Sequence, residues 1–416
     1  MPVLPVPVTG SKFRSRTGAV RRPHRFAFQH EGSMHHTLRR SPALIVLLFA
    51  GGCSGTSGAG DTASATPEPV RNIILLIADG AGVGLWSAAS FAADALAVKT
   101  MPVVGLVDTR SASAKVTDSA AGATVYATGE RVTNRTIGVG PGCPLPSSRD
   151  TIASEWPEGC APAESWFAMA RAKGRATGVV TTTSVTDATP ASFVAHSPSR
   201  YWQEAIAEQF ADAGLVVMLG GGRRYFAGEM RNDGRDLLGE LCARSDCVTT
   251  AAELSAYRPA DRPLVGLFTP TDMDAEEPRP VALPDMVAAA LARLEQNPDG
   301  FVALFESEAT DNATHANLGL ERVTADILEF DRAVGVALEF ARMNPGTLVI
   351  ATADHETGGF SLAEQDADFE LRYTTGGHTG ALVPLFAYGP QAHRFGGFRE
   401  NVEIGRTLME IVRGWN

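Results

Sequence analysis

Short apolar runs alternate with longer stretches of helical period from residue 72 to the end of the chain. The first run, 72–78 (NIILLIA), is continuous and flanked by turn-forming residues, which predicts a strand buried on both faces. Further strands are predicted at 177–182, 215–219, 301–305, 347–352 and 384–388. Helices are predicted at 86–97, 119–128, 161–173, 202–213, 284–296, 321–343 and 400–413. This alternation predicts a single large α/β domain with a mostly parallel central sheet and helices on both faces.

The N-terminal region follows a different pattern. Residues 1–33 are basic and proline-rich without an apolar period, whereas Met34 begins a basic stretch that leads into the apolar run 43–50. A basic segment, a short apolar run and small residues are the layout of a secretory signal. The run is far shorter than the ~20 residues that span a bilayer. We therefore predict export, with the true start at Met34 or an unusually long basic region before it.

The signal ends in small residues followed by Cys53. This ending resembles the bacterial lipoprotein signal, in which the cysteine carries the lipid, and the alternative is an ordinary signal cut a few residues later. Residues 54–69 are small and polar, which is typical of a flexible linker. The predicted organisation is a leader at 1–53, a linker at 54–69 and a folded domain at 70–416. We expect a periplasmic protein or a membrane-anchored lipoprotein of a bacterium, with membrane contact only through a lipid on Cys53.

Removal of the leader changes the charge. The 416-residue chain has a net charge of −11, but residues 53–416 alone carry −18. Such an acidic body argues against nucleic acid as a partner, because nucleic-acid binding depends on basic contacts to phosphates. Four of the nine histidines also lie in the leader, so five remain in the predicted domain.

Four cysteines remain after Cys53, an even number that permits two disulfides in an exported chain. The short spacings favour Cys143–Cys160 and Cys242–Cys247, and the alternative is four buried thiols.

Three predicted strands end in a carboxylate. Asp79 follows the strand 72–78, Glu306 follows FVALF, and Asp354 follows TLVIATA. In an open α/β sheet, ligands bind outside the carboxyl ends of the strands. Three anions that converge there repel one another unless a cation holds them. The sequence therefore predicts a metal site at this edge.

Three of the five remaining histidines lie beside such carboxylates. Asp311 and His315 are four residues apart, which places both on one face of a helical turn. His355 directly follows Asp354, and His378 lies in the glycine-rich loop TTGGHTG. A mixed set of carboxylates and imidazoles suits zinc. The other two, His196 and His393, have no such neighbours and are expected to be structural.

A candidate nucleophile lies at the start of an alanine-rich helix, in the segment VTDSAAGATVYATG. Asp118 is a plausible N-cap and Ser119 occupies the first turn. A helix N-terminus favours phosphate, and a hydroxyl beside divalent metals can ionise and attack phosphorus. A serine that only helps to cap the helix is the alternative.

At this point the sequence resembles the alkaline phosphatases. Six motifs match in order across residues 70–416: NIILLIADGAG, VTDSAAGATVYATG, VTDATPASFVAHSPSR, the segment 306–315, TADHETGG and GGHTG. The resemblance implies hydrolysis of phosphate monoesters and a phosphoseryl intermediate on Ser119. It also implies that Arg200, which closes AHSPSR, holds two phosphate oxygens with its guanidinium.

The resemblance further implies two zinc ions and one magnesium ion. The residues implied for the zinc ion at the leaving group are Asp311, His315 and His378. The residues implied for the zinc ion at Ser119 are Asp79, Asp354 and His355. The residues implied for magnesium are Asp79, Thr189 and Glu306. Members of the family are typically homodimeric, so a homodimer is also expected.

Three positions depart from the family pattern or add to it. Asp187 matches some members, whereas others carry histidine there. Asn312 stands where members often carry lysine or histidine, which leaves open the phosphate affinity and whether the third metal is magnesium or zinc. Glu308 adds a carboxylate close to Glu306, and the sequence leaves open whether its side chain faces the site.

Two other functions compete with the phosphomonoesterase. One is a phosphodiesterase or sulfatase of the same superfamily, but the nucleophile segment lacks the x-P-x-R context of sulfatases, and Arg200 is a clamp that phosphodiesterases lack. The other is a surface lipoprotein that only binds metal or phosphate, against which the intact Ser119 and the full ligand set argue.

Overall fold

The computed structural model describes residues 69–145, 156–275, 277–365 and 368–415. The predicted leader and all of the predicted linker before Pro69 lie outside these ranges. The strands in the described part are β1 (Asn72–Ala78), β2 (Val103–Asp108), β3 (Ala176–Ser184), β4 (Val217–Gly221), β5 (Asp246–Val248), β6 (Leu264–Leu267), β7 (Phe301–Ser307), β8 (Thr347–Thr352), β9 (Glu356–Thr357), β10 (Ser361–Gln365), β11 (Asp368–Arg372), β12 (His378–Thr379), β13 (Val383–Tyr388) and β14 (Gly397–Glu400).

Helices lie between most of these strands. In the described residues they are α1 (Val83–Ala92), α2 (Ser119–Thr128), α3 (Trp166–Ala172), α4 (Ala188–Val194), α5 (Gln203–Asp212), α6 (Leu237–Arg244), α7 (Ala251–Ala256), α8 (Leu283–Leu294), α9 (Ala309–His315), α10 (Leu320–Met343) and α11 (Asn401–Arg413).

Ten strands form the central sheet, in the order β14-β2-β13-β8-β1-β7-β3-β4-β6-β5. Among the strands of the described residues, only β13 runs antiparallel to its neighbours in this sheet, and the other pairings are parallel. Helices α8 and α10 pack against each other and the sheet, while α2, α3, α4 and α11 form a second packed group. The predicted fold class, a large α/β domain with a mostly parallel sheet, is confirmed.

The centre of the sheet is β1, in which all seven residues are buried. A continuous apolar run without alternation is what a parallel strand covered on both faces requires. Its register with both neighbours is in step, since Ile77 pairs with Glu306 of β7 and with Thr352 of β8. The three strands therefore end at the same edge, which brings together the residues that follow them.

The boundaries of α1 differ from the predicted helix at 86–97. The helix ends at Ala92, and a separate 3₁₀ turn spans Ala97–Thr100. The carboxylate of Asp331 on α10 accepts hydrogen bonds from the backbone N–H groups of Ala97 (2.7 Å) and Val98 (3.1 Å). The free N–H groups at the start of the 3₁₀ turn are thus satisfied by a residue that is distant in sequence. The local pattern of apolar residues cannot predict such a contact.

Both favoured disulfides are present, Cys143–Cys160 and Cys242–Cys247. Within the described ranges, none of the helices combines the length and the apolar character needed to cross a bilayer.

Candidate active site

The three carboxylates predicted at strand ends converge at one edge of the sheet. Asp79, Glu306 and Asp354 are fully buried there. The backbone fixes the turn after β1, because the N–H of Asp79 donates to the carbonyl of Ser307 (2.9 Å). Thr310 then donates through its hydroxyl to the carbonyl of Asp79 (2.6 Å).

The residues predicted to hold the zinc ion at Ser119, which are Asp79, Asp354 and His355, lie together around His355. Its Nε2 lies 3.3 Å from Oδ1 of Asp79 and 3.3 Å from Oδ2 of Asp354. All three side chains are completely shielded from solvent. One nitrogen and two carboxylate oxygens thus face a common point.

The residues predicted to hold the zinc ion at the leaving group, which are Asp311, His315 and His378, also lie together. Nε2 of His315 lies 3.2 Å from Oδ2 of Asp311, and Nε2 of His378 lies 3.9 Å from Oδ1 of the same carboxylate. The two Nε2 atoms of His315 and His378 are 3.0 Å apart. The ring of His355 stacks on His378 at 3.6 Å between centroids, so His355 lies close to both sets. The side chain of His315 is 36% exposed, which opens this set toward solvent.

Hydrogen bonds orient the imidazoles so that Nε2 points into the cluster. Nδ1 of His315 lies 2.8 Å from the carbonyl of Gly376, and Nδ1 of His378 lies 2.9 Å from the carbonyl of Thr117. A carbonyl only accepts, so both Nδ1 atoms carry the proton and both Nε2 atoms hold a free lone pair in the neutral ring. Carbonyl-oriented histidines of this kind are characteristic of metal ligands.

Thr357 orients the remaining histidine. Its hydroxyl donates to Oδ1 of Asp311, so its lone pairs are free to accept from Nδ1 of His355, 3.2 Å away. Nε2 of His355 is again left as the free acceptor. Sequence reasoning missed Thr357, although its place two residues after His355 on the short strand β9 was the signal available.

The oxygens of the predicted magnesium ligands, Asp79, Thr189 and Glu306, form a third group, which shares Asp79 with the zinc ligands at Ser119. Oγ1 of Thr189 is 3.3 Å from Oδ2 of Asp79, and Thr181 donates to Oε2 of Glu306 (2.5 Å). Glu308 also faces this group, because Asp79, Glu306 and Glu308 each offer an oxygen within 4.8 Å of the others. The orientation that the sequence left open for Glu308 is therefore toward the site.

The electrostatics of this cluster demand cations. Among the described residues, Oδ1 of Asp79, Oε1 of Glu306 and Oδ2 of Asp354 are buried and accept no hydrogen bond. Burial, followed by repulsion from Asp354, raises the pKa of Asp79 well above its ordinary value. Burial likewise raises the pKa of Glu306 to about 8 and that of Asp354 to about 7. Unpaired buried anions are costly, and divalent ions at the three groups would compensate them. The residues present therefore fit a multi-metal centre.

Ser119 lies at the first position of α2 and is buried. Asp118 caps the helix, with its Oδ1 accepting from the N–H of Ala121 (3.2 Å). The Oγ of Ser119 lies 3.2 Å from Nε2 of His355. The hydroxyl thus lies at a helix N-terminus and beside the predicted zinc ligands Asp79, Asp354 and His355.

Arg200 lies in the segment after α4 and contacts Asp118, the residue before Ser119. Its Nη1 lies 3.4 Å from Oδ2 of Asp118, and its Nη2 lies 3.2 Å from Oδ1 of Asp187. Burial opposes the guanidinium charge, but Asp187, Asp118 and Glu308 outweigh it and raise the pKa of Arg200. The guanidinium is therefore charged and held by two carboxylates.

Asn312 lies on α9 next to Asp311, and it is exposed. The other predicted site residues are brought together in this one region. His196 is not part of it, since its Nδ1 lies 2.6 Å from the carbonyl of Gly138.

The alkaline phosphatase family model matches residues 70–371. The chain belongs to the alkaline phosphatase family. It is therefore a phosphatase of a metal-dependent family, and the carboxylate and histidine groups described above are its candidate metal ligands.

Characterised relatives match over most of their length. Streptomycin-6-phosphate phosphatase of Streptomyces griseus is 31% identical, covering 89% of this chain and 95% of its own. Alkaline phosphatase 3 of Bacillus subtilis is 28% identical, covering 88% of this chain and 94% of its own.

Solved alkaline phosphatases share the fold. The enzyme from the Antarctic bacterium TAB5 superposes with a TM-score of 0.74 at 32% identity, covering 84% of this chain and all of its own. A variant of that enzyme in which one histidine is replaced by aspartate, with Mg bound in its M3 site, gives the same TM-score and coverage. The Thermus thermophilus enzyme superposes with a TM-score of 0.73 at 25% identity, covering 84% of this chain and 92% of its own.

Proposed function

We propose that this phosphatase hydrolyses phosphate monoesters to an alcohol and inorganic phosphate through a phosphoseryl intermediate on Ser119. The observation that carries the proposal is the position of Oγ of Ser119, 3.2 Å from Nε2 of His355. A nucleophile at a helix N-terminus and beside a metal cluster combines phosphate binding with activation.

We assign the metals by the donor chemistry. The ligands proposed for the solvent-facing zinc ion are Asp311, His315 and His378. The ligands proposed for the zinc ion at Ser119 are Asp79, Asp354 and His355. The ligands proposed for a magnesium ion are the oxygen donors Asp79, Thr189 and Glu306, since hard cations prefer oxygen. Magnesium is favoured over a third zinc ion because a relative's variant binds Mg in its M3 site.

When bound, these ions would supply positive charge that lowers the pKa of the attacking oxygen and neutralises the phosphate. Side chains and backbone groups of the protein bind the phosphate directly. Arg200 binds two non-bridging phosphate oxygens with its guanidinium, and Asp118 and Asp187 set the plane of that group. The free N–H groups at the start of α2 add partial positive charge on the same side.

In the first displacement, Oγ of Ser119 forms a bond to phosphorus as the bond to the ester oxygen breaks. The serine proton passes to solvent water, and the ester oxygen leaves as the alcohol after it takes up a proton from solvent. In the second displacement, a water oxygen forms a bond to phosphorus as the bond between phosphorus and Oγ of Ser119 breaks. The attacking water loses a proton to solvent, Oγ takes one up, and inorganic phosphate is released. Two in-line displacements retain the configuration at phosphorus, and the barrier falls mainly through positioning and charge neutralisation.

The experiment that tests the proposal compares three substrates on one preparation. Zinc and magnesium content is measured, and turnover at alkaline pH is assayed with a phosphate monoester, a phosphate diester and a sulfate ester. We expect the monoester to dominate, because Arg200 and the metal ions would together engage all three non-bridging oxygens of a doubly charged monoester, whereas a diester has only two such oxygens and a sulfate ester carries a single negative charge. Faster turnover of the diester or the sulfate ester would refute the monoesterase.

We also propose that the enzyme is exported and forms a homodimer. Export and a lipid on Cys53 rest on the signal pattern, and mass spectrometry of the mature N-terminus tests both. For the dimer, Val104, Leu106 and Phe398 expose 57%, 38% and 66% of their surface at one edge of the sheet, where Phe398 pairs with Leu106. Contiguous apolar surface of this kind favours a protein partner. Light scattering of Phe398→Asp, which should be monomeric if this edge is the interface, tests it.

A further inference from the structure

The chain makes a sharp turn one residue after Glu306. Strand β7 ends at Ser307, and Glu308 adopts a helical conformation (φ −79°, ψ −23°) as the residue before α9. A continued strand would have carried Glu308 away from the edge of the sheet. The turn folds it back beside Glu306 instead.

The backbone of Glu308 is fixed on both sides. Its N–H donates to Oγ1 of Thr182 (2.9 Å), which itself donates to Oδ2 of Asp274 (2.8 Å). Its carbonyl accepts from the N–H groups of Asp311 (3.0 Å) and Asn312 (3.1 Å). The position of the Glu308 side chain is therefore built into the site and does not depend on a loose loop.

The carboxylate of Glu308 completes a three-acid group. Asp79, Glu306 and Glu308 each place an oxygen within 4.8 Å of the others. Asp79 and Glu306 are fully buried, and Oε1 of Glu306 accepts no hydrogen bond from the described residues. Asp79 turns its Oδ2 toward Thr189 on this side, while its Oδ1 lies near His355. An unpartnered buried oxygen among three acids indicates a missing cation.

The nearby arginine does not provide that cation. The guanidinium of Arg200 influences Glu308 electrostatically, but its Nη1 and Nη2 are engaged by Asp118 and Asp187. It is moreover the group proposed to bind phosphate. The three acids thus require a separate positive charge.

We propose that Glu308 is a direct ligand of the third metal ion, so that this enzyme holds magnesium through three carboxylates and Thr189. The inference rests on the proposed function, because it concerns the same metal centre. Three carboxylates and a hydroxyl form an all-oxygen set, which suits a hard divalent cation and disfavours zinc.

The test measures magnesium binding separately from catalysis. Protein loaded with two zinc ions per chain is titrated with MgCl₂ by calorimetry, for the wild type and for Glu308→Gln, which keeps the shape and removes the charge. We expect magnesium affinity to fall by about tenfold or more, with the zinc content unchanged. Glu308→Asp keeps the charge on a shorter side chain and should lie between the two. Glu321→Gln, at an exposed position on α10, is the matched control and should bind magnesium like the wild type.

Thermal unfolding gives a second readout without substrate. In excess chelator, Glu308→Gln should unfold at a higher temperature than the wild type, because one of three repelling acids is gone. On addition of magnesium, the wild type should gain more than the variant. Unchanged magnesium affinity in Glu308→Gln would overturn the proposal, even if phosphate binding changed. A wild type that takes up no zinc or magnesium would instead refute the proposed function.

Discussion

The Oγ of Ser119 lies 3.2 Å from Nε2 of His355, and this nitrogen also lies 3.3 Å from Oδ1 of Asp79 and from Oδ2 of Asp354. A hydroxyl, an imidazole and two carboxylates therefore surround one small volume. This arrangement connects the proposed nucleophile to the metal centre without an intervening residue.

Removal of the hydroxyl should separate catalysis from metal binding. Ser119→Ala should lower kcat by at least about 10³-fold, because the hydroxyl proposed to attack phosphorus is gone. The zinc and magnesium content should not change, since Oγ is not among the proposed ligands. Steady-state kinetics and metal analysis check both expectations, with Ser255→Ala at an exposed position on α7 as the control. Full activity in Ser119→Ala would refute the covalent mechanism.

Loss of the guanidinium should act mainly on phosphate binding. Arg200→Ala should lower kcat/KM by roughly 10²-fold and weaken inhibition by inorganic phosphate, because two charge-assisted hydrogen bonds disappear. Arg200→Lys should recover only part of the loss, since an ammonium group lacks the planar fork. An unchanged inhibition constant for phosphate in Arg200→Ala would show that the arginine does not contact the substrate.

Asp118 has two separable roles, because its oxygens have different partners. Oδ1 accepts from the N–H groups of Ala121 (3.2 Å) and Arg135 (2.9 Å), while Oδ2 faces Arg200. Asp118→Asn should keep the helix cap but loosen Arg200, which would raise KM with little loss of stability. Asp118→Ala should in addition lose about 1 kcal/mol in the free energy of unfolding. Kinetics and urea denaturation of the two variants check this, and equal stability losses in both would contradict it.

The predictable part of the site follows from local pattern. Apolar runs locate β1, β7 and β8, and parallel register brings Asp79, Glu306 and Asp354 to one edge. The helix at 119–128 was predicted with its observed bounds because a cap residue and an alanine-rich segment mark it clearly. These features depend on neighbours in sequence or on the general rule for strand ends.

The parts that could not be predicted depend on contacts between distant segments. Thr357 contacts both Asp311, which lies 46 residues away in sequence, and His355, which lies two residues away. The orientation of Glu308 follows from the hydrogen bond between its N–H and Thr182, 126 residues away. Short elements such as β5 and α7 were missed for a related reason, because three to six residues carry too little periodicity.

Removal of the metals should make stability depend on pH, with a sign that the buried acids determine. Burial raises the pKa of Glu306 from about 4.5 to about 8 and that of Asp354 from about 3.8 to about 7. In chelator, the folded state therefore binds more protons than the unfolded state between about pH 4 and pH 8. The free energy of unfolding should fall as the pH rises through this window.

With zinc and magnesium present, the fall should vanish or reverse, because the ions bind the deprotonated acids and replace the protons. Urea denaturation at pH 5, 6, 7 and 8, with chelator and with metals, measures both profiles. Glu306→Gln should make the profile in chelator less steep, since one of the buried acids with a raised pKa is gone, whereas Glu321→Gln should leave the slope unchanged. A flat profile for the wild type in chelator would mean that the acids are already compensated without metal. The repulsion between unpaired buried acids would then no longer support a metal centre in this cluster.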